Sequence, residues 1–169
     1  MIEYNRFTLD NGLTVLVHED TATPMAVVNV LYDVGARDEH PEKTGFAHLF
    51  EHLMFGGSIN IADYDEPLQR AGGDNNAYTT NDLTNYYCQL PAQNIETAFW
   101  LESDRMLSLA FSEKSLSVQR KVVCEEFREH YINKPYGDVW KQMRELAYTV
   151  HPYKWMTIGR ELKHIEEAT

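Results

Sequence analysis

Only two cysteines occur in the 169 residues, Cys88 and Cys124, and their spacing fits no disulfide framework, metal pair or redox motif. Both read as buried thiols, Cys88 in a strand-like run and Cys124 in a helix. No apolar run approaches the roughly 18–20 residues that a membrane-crossing helix needs. Met1 to Arg6 contains no basic stretch leading into an apolar one, so no signal peptide is expected and a cytoplasmic location follows by default. Positive charge is scarce as well: 15 Lys and Arg against 26 Asp and Glu leave a net charge of -11. A nucleic-acid surface needs clustered Lys and Arg, so that class is excluded. The acidic balance permits a preference for cationic peptides, although a solvated acidic exterior is its commoner cause. Gly72-Gly73 lacks both the phosphate-loop lysine and the dinucleotide glycine pattern and reads as a turn. Repeats and low-complexity segments are absent.

What remains is a composition for one packed domain over residues 1–169, with 43% hydrophobic and 24% charged residues. Phe7 to His18 reads as strand, Asn11-Gly12 turn and strand, and Met25 to Val34 as a further strand after Thr23-Pro24. A short helix is expected around Ala62 to Arg70. The Tyr- and Thr-rich stretch from Asn75 to Leu90 reads as a long strand or hairpin pair. Gln93 to Leu109 carries apolar residues at helical spacing. A second such helix runs from an N-cap at Ser112 to His130, and turn chemistry at Asn133 to Asp138 breaks it before Val139 to Tyr148 resumes. This order predicts an α+β fold: a mostly antiparallel sheet with helices packed on one face.

The chemistry is concentrated in His48-Leu49-Phe50-Glu51-His52. On a helix, histidines four apart project from one face about a turn apart, the reach needed to hold one metal between two imidazoles. Glu51 shares that face, where its carboxylate is placed to take a proton from a water at the metal's open position. The apolar flanks Gly45-Phe46-Ala47 and Leu53-Met54-Phe55, followed by Gly56-Gly57, put the run on a buried helix that ends at glycines. Two core histidines beside a solvated glutamate are the plain alternative.

Catalytic zinc usually takes three protein ligands, so a third must come from elsewhere. Glu125 and Glu126 are adjacent on the Ser112–His130 helix and point about 100° apart, so at most one joins the histidines easily. Glu126 shares a face with Val122, Val123 and His130, whereas Glu125 lies with Lys121 and Glu129 and reads as solvated. Glu126 is therefore the expected ligand. His130 is a weaker rival, and Cys124 is turned about 200° away.

Five blocks together resemble the N-terminal part of the pitrilysin family of zinc peptidases, which includes insulin-degrading enzyme and the mitochondrial processing peptidase. They are Phe7 to Val15, Val34 to Glu39, Gly45 to Phe55, Asn76 to Thr84 and Gln119 to Glu126. The resemblance implies one zinc per chain on His48, His52 and Glu126, with Glu51 as general base of a peptide-hydrolysing enzyme. It also implies a substrate-binding role for Asn76, Ala77, Tyr78 and Thr79, on a strand that borders the cleft and to which an extended peptide adds. From residue type alone, an ordinary amphipathic strand fits those four positions equally well. Many active members have a glutamate seven residues before the third ligand, where this chain has Gln119; an amide there can hydrogen-bond but carries no charge.

Family members continue beyond the region matched here. The resemblance therefore implies the zinc-bearing part of a two-half enzyme, completed by a C-terminal half or partner chain, with open sheet edges that favour a homo-oligomer. The competing expectation is a non-catalytic subunit that binds peptide and leaves cleavage to another chain.

Overall fold

The computed structural model describes residues 2–169. Strands β1 (Asn5–Thr8) and β2 (Thr14–Val17) pair antiparallel as a two-stranded sheet of their own. Their turn uses Gly12 at φ 88°, a conformation that glycine adopts without a Cβ clash. Strands β3 (Met25–Tyr32), β4 (Asp74–Thr79) and β5 (Thr84–Pro91) form an antiparallel sheet in the order β3-β5-β4. The stretch expected as a long strand or hairpin pair is thus a hairpin. Thr80 reverses the chain: its amide donates to the Leu83 carbonyl at 2.8 Å, and its hydroxyl oxygen accepts from the Asp82 and Leu83 amides, both at 3.1 Å.

The register pairs Val28 with Cys88 and Ala26 with Leu90, so the period-2 alternation sends Val28, Tyr86, Cys88 and Leu90 to one face. That face meets helices α2 (Asp65–Arg70) and α3 (Ile95–Leu107) through Leu68, Ala98 and Leu101. Met25, Val27, Leu31 and Tyr78 lie on the other face and are exposed. The expected layout of helices on one side of an antiparallel sheet is the observed one. Beneath the sheet, Glu102 and Arg105 form a buried ion pair, and the guanidinium sits 4.5 Å from the ring centres of both Tyr64 and Tyr86.

A second apolar cluster joins helices α1 (Phe46–Met54) and α4 (Glu113–Phe127) with the C-terminal segment. Leu49 and Leu53 of α1 pack there with Val123, Cys124 and Phe127 of α4 and with Ile158 and Ile165. Burying a leucine such as Leu49 stabilises by about 1.5–3 kcal/mol, which fixes how α1 and α4 face each other. The Ser112 hydroxyl accepts from the Ser115 amide at 3.0 Å, as its N-cap assignment requires. The α4 helix runs on through a π-helical stretch, Arg128–Ile132, before α5 (Val139–Ala147) and α6 (Leu162–Glu166).

Helix α2 begins three residues later than expected because the Asp63 carboxylate caps it, accepting from the Asp65 and Glu66 amides at 2.9 and 3.2 Å. Both cysteines are free and buried. No helix among the described residues is long and apolar enough to cross a membrane.

Candidate metal centre

Helix α1 starts at Gly45, whose φ of 89° and tight surroundings both exclude a side chain: an added Cβ would lie 2.6 Å from the Ile158 carbonyl oxygen. Two amides at this helix start are satisfied by Glu39, whose carboxylate accepts from Gly45 at 2.9 Å and from Ala47 at 2.8 Å. Burial pushes Glu39 up to about 7, while the amide donors of Ala47 and Gly45 and the indole of Trp155 pull it down. From this anchored start, one side of α1 gives Leu49 and Leu53 to the α4 interface, and the spacing of four brings His48 and His52 together on another. Their rings meet edge to face with centroids 4.7 Å apart, and the two Nε2 atoms are 3.3 Å apart.

The packing of α4 on α1 adds Glu126, whose Oε2 lies 3.7 Å from His48 Nε2 and 3.4 Å from His52 Nε2. Ligand atoms set tetrahedrally at 2.0–2.2 Å around zinc stand about 3.3–3.6 Å from one another. The three separations match the edges of such a tetrahedron to within about 0.2 Å. The three side chains are partly buried, at 18, 20 and 34% exposure, which leaves an approach from solvent. Two imidazoles and one carboxylate form a donor set suited to zinc.

Burial first, and the adjacent His52 second, hold His48 down to about 4 from an ordinary 6.5, so its imidazole is neutral and its lone pair available at neutral pH. A depressed histidine contributes stability that is present above pH 6.5 and is lost as the pH falls through about 4. The metal-free chain is therefore expected to lose up to about 3 kcal/mol from this group between those limits. Denaturant melts of the wild type and His48→Gln across this range measure it; identical pH slopes would show that His48 is not the cause.

Glu51 lies on the same side of α1, and its Oε2 accepts a hydrogen bond from the Thr79 hydroxyl of β4. Burial raises the Glu51 pKa and the Glu126 charge adds to this, while the Thr79 bond and His52 oppose it. The side chains of β4 alternate, so Ala77 and Thr79 face the helices while Asn76 and Tyr78 face away. As the edge strand beside α1, β4 has one side free of pairing with β5.

The family model described as insulinase, peptidase family M16, matches residues 14–159. The chain belongs to peptidase family M16. It is 36% identical over 160 residues to the zinc protease PqqE of Helicobacter pylori, a match that covers 93% of this chain and 36% of that protein. To the mitochondrial-processing peptidase subunit beta of Saccharomyces cerevisiae it is 29% identical over 95% of its length, and covers 35% of that protein. The chain thus spans about a third of the length of these relatives. The crystal structure of a protease from Helicobacter pylori superposes on all of this chain with a TM-score of 0.94 at 34% identity, and the match covers 41% of that protein's chain. The crystal structure of pitrilysin shares the fold, with a TM-score of 0.81 over 97% of this chain and 18% of its own, at 22% identity.

Within the M16 chain, the residues singled out as ligands, His48, His52 and Glu126, come together from two helices. Glu125 does not join them: it is 73% exposed and pairs with Arg128. Cys124 is buried in the apolar cluster and His130 is exposed on the π-helical stretch. Gln119 is half-buried on α4, and its side chain has no hydrogen-bond partner among the described residues. Three features carry no mark in the sequence: the Thr79–Glu51 bond, the Glu39 cap and the indole that supports it.

Proposed function

We propose that the chain is the metal-bearing part of a zinc endopeptidase that hydrolyses peptide bonds in peptides or in small or unfolded proteins. His48, His52 and Glu126 hold one zinc per chain, and Glu51 is the general base. The observation that carries this reading is the triangle of ligand atoms at 3.3, 3.4 and 3.7 Å, with Glu51 near enough to feel the charges of His52 and Glu126. Zinc bound there supplies a Lewis acid for the scissile carbonyl and makes water more acidic.

Glu51 takes the proton of the attacking water and passes it to the departing amine. Thr79 donates to one carboxylate oxygen, which orients the group and leaves the other oxygen for the proton. The raised pKa of Glu51 is the direction that favours proton uptake near neutrality. The free edge of β4 binds extended substrate through main-chain hydrogen bonds, with Asn76, Ala77 and Tyr78 lining it and little demand on sequence. Gln119, on the helix of the third ligand, supplies a neutral amide and no charge.

The relatives are about three times as long, and we infer that a further half or a partner chain completes the cleft. A non-catalytic peptide-binding subunit is the second reading, and Gln119 is the residue that favours it. The discriminating experiment is cleavage of an internally quenched peptide by the zinc-loaded protein. Hydrolysis that 1,10-phenanthroline stops and added zinc restores is expected. Hydrolysis indifferent to the chelator would refute the zinc mechanism, and bound zinc without hydrolysis even when the completing half is supplied would favour the subunit reading.

A further inference from the structure

The metal-binding geometry is set by the placement of α1, yet among the described residues no protein group holds the His48 ring from behind. His48 Nδ1 is buried without a partner. The restraint lies instead at the start of the helix, where the chain folds back on itself from far along the sequence. The two oxygens of Glu39 bind different donors. Oε1 accepts from the Ala47 amide, next to His48, and Oε2 accepts from the Gly45 amide and from the Trp155 indole at 3.1 Å. The same indole N–H reaches the Ala36 carbonyl at 2.9 Å, so buried Trp155 ties the turn that carries Glu39 to the C-terminal segment. Opposite it, the Thr44 hydroxyl meets His164 Nδ1 and accepts from the Arg160 amide, both at 2.8 Å.

We propose that Glu39 and Trp155 are positioning residues for the metal centre, fixing the first turn of α1 and through it the separation of His48 from Glu126. The inference rests on the zinc reading above. A metal site tolerates about 0.2 Å in its ligand distances, so a small slide or rotation of α1 against α4 costs affinity before it costs the fold. Glutamine at position 39 has one carbonyl oxygen for two groups of donors. Either the Ala47 amide or the Gly45 amide and Trp155 indole must then face a nitrogen that cannot accept.

The test uses Glu39→Gln and Trp155→Phe in the full chain, with zinc Kd measured by competition with a chelating dye and the visible absorption of the cobalt-substituted protein recorded. Leu101→Ala, in the sheet core away from α1, serves as the destabilised control. We expect zinc Kd to rise roughly tenfold in Glu39→Gln, and less in Trp155→Phe, with altered cobalt bands in both. Leu101→Ala is expected to lower Tm and keep the wild-type Kd and bands. Folded Glu39→Gln and Trp155→Phe proteins with wild-type Kd and spectrum would overturn the proposal and leave the zinc reading standing. If Glu39→Gln does not fold, Trp155→Phe decides. A wild type that binds no zinc would overturn both.

Discussion

Glu51→Gln is expected to bind zinc as the wild type does and to lose about 10²–10⁴-fold in kcat for peptide hydrolysis. The amide keeps the size of the side chain, and its oxygen still accepts the hydrogen bond from Thr79. What it loses is the capacity to take a proton at neutral pH. Because Glu51 is outside the ligand triangle of His48, His52 and Glu126, metal content and activity separate in this variant. The paired measurement is bound zinc by elemental analysis and turnover on one peptide. Retained turnover would remove Glu51 from its role as base, and parallel loss of metal and activity would make it a ligand.

The second large effect is expected at the third ligand. Glu126→Gln replaces an anionic oxygen donor 3.4 and 3.7 Å from the two imidazole nitrogens with a neutral amide. Zinc Kd should rise more than about 100-fold, beyond the range typical of losing an outer partner. Glu125→Gln should change it less than about threefold, because Glu125 is largely exposed and its ion pair with Arg128 is a surface contact of little energy. Titration of the two metal-free variants with zinc makes the comparison. Equal losses would mean that the wrong glutamate has been assigned.

The parts of the centre that are legible in the sequence are those governed by local periodicity. A spacing of four places His48 and His52 on one face of α1, and adjacency forces Glu125 and Glu126 apart; of the residues grouped with Glu126, Val123 is buried against α1 while Val122 and His130 are exposed, so the inward side of α4 is narrower than the grouping implies. Alternation likewise accounts for the β4–β5 hairpin and its buried face. Contacts between distant elements carry no such mark. The family resemblance alone implies a substrate contact at Thr79; in the structure the sheet turns it toward α1 and its hydroxyl reaches Glu51.

Glu39 lies six residues before Gly45, too far for the usual cap spacing, and its indole partner stands 116 positions away. Nothing periodic announces that Arg105 lies between Tyr64 and Tyr86. The separation of β1 and β2 into their own sheet is equally invisible, since an alternating strand pattern does not say which strands pair.

The central claim is that His48, His52 and Glu126 form a zinc site, and elemental analysis of the folded wild-type chain after equilibration with zinc and removal of the excess tests it most directly. About one zinc per chain, absent from Glu126→Gln treated identically, is the predicted result; a folded wild type that retains no metal would contradict it.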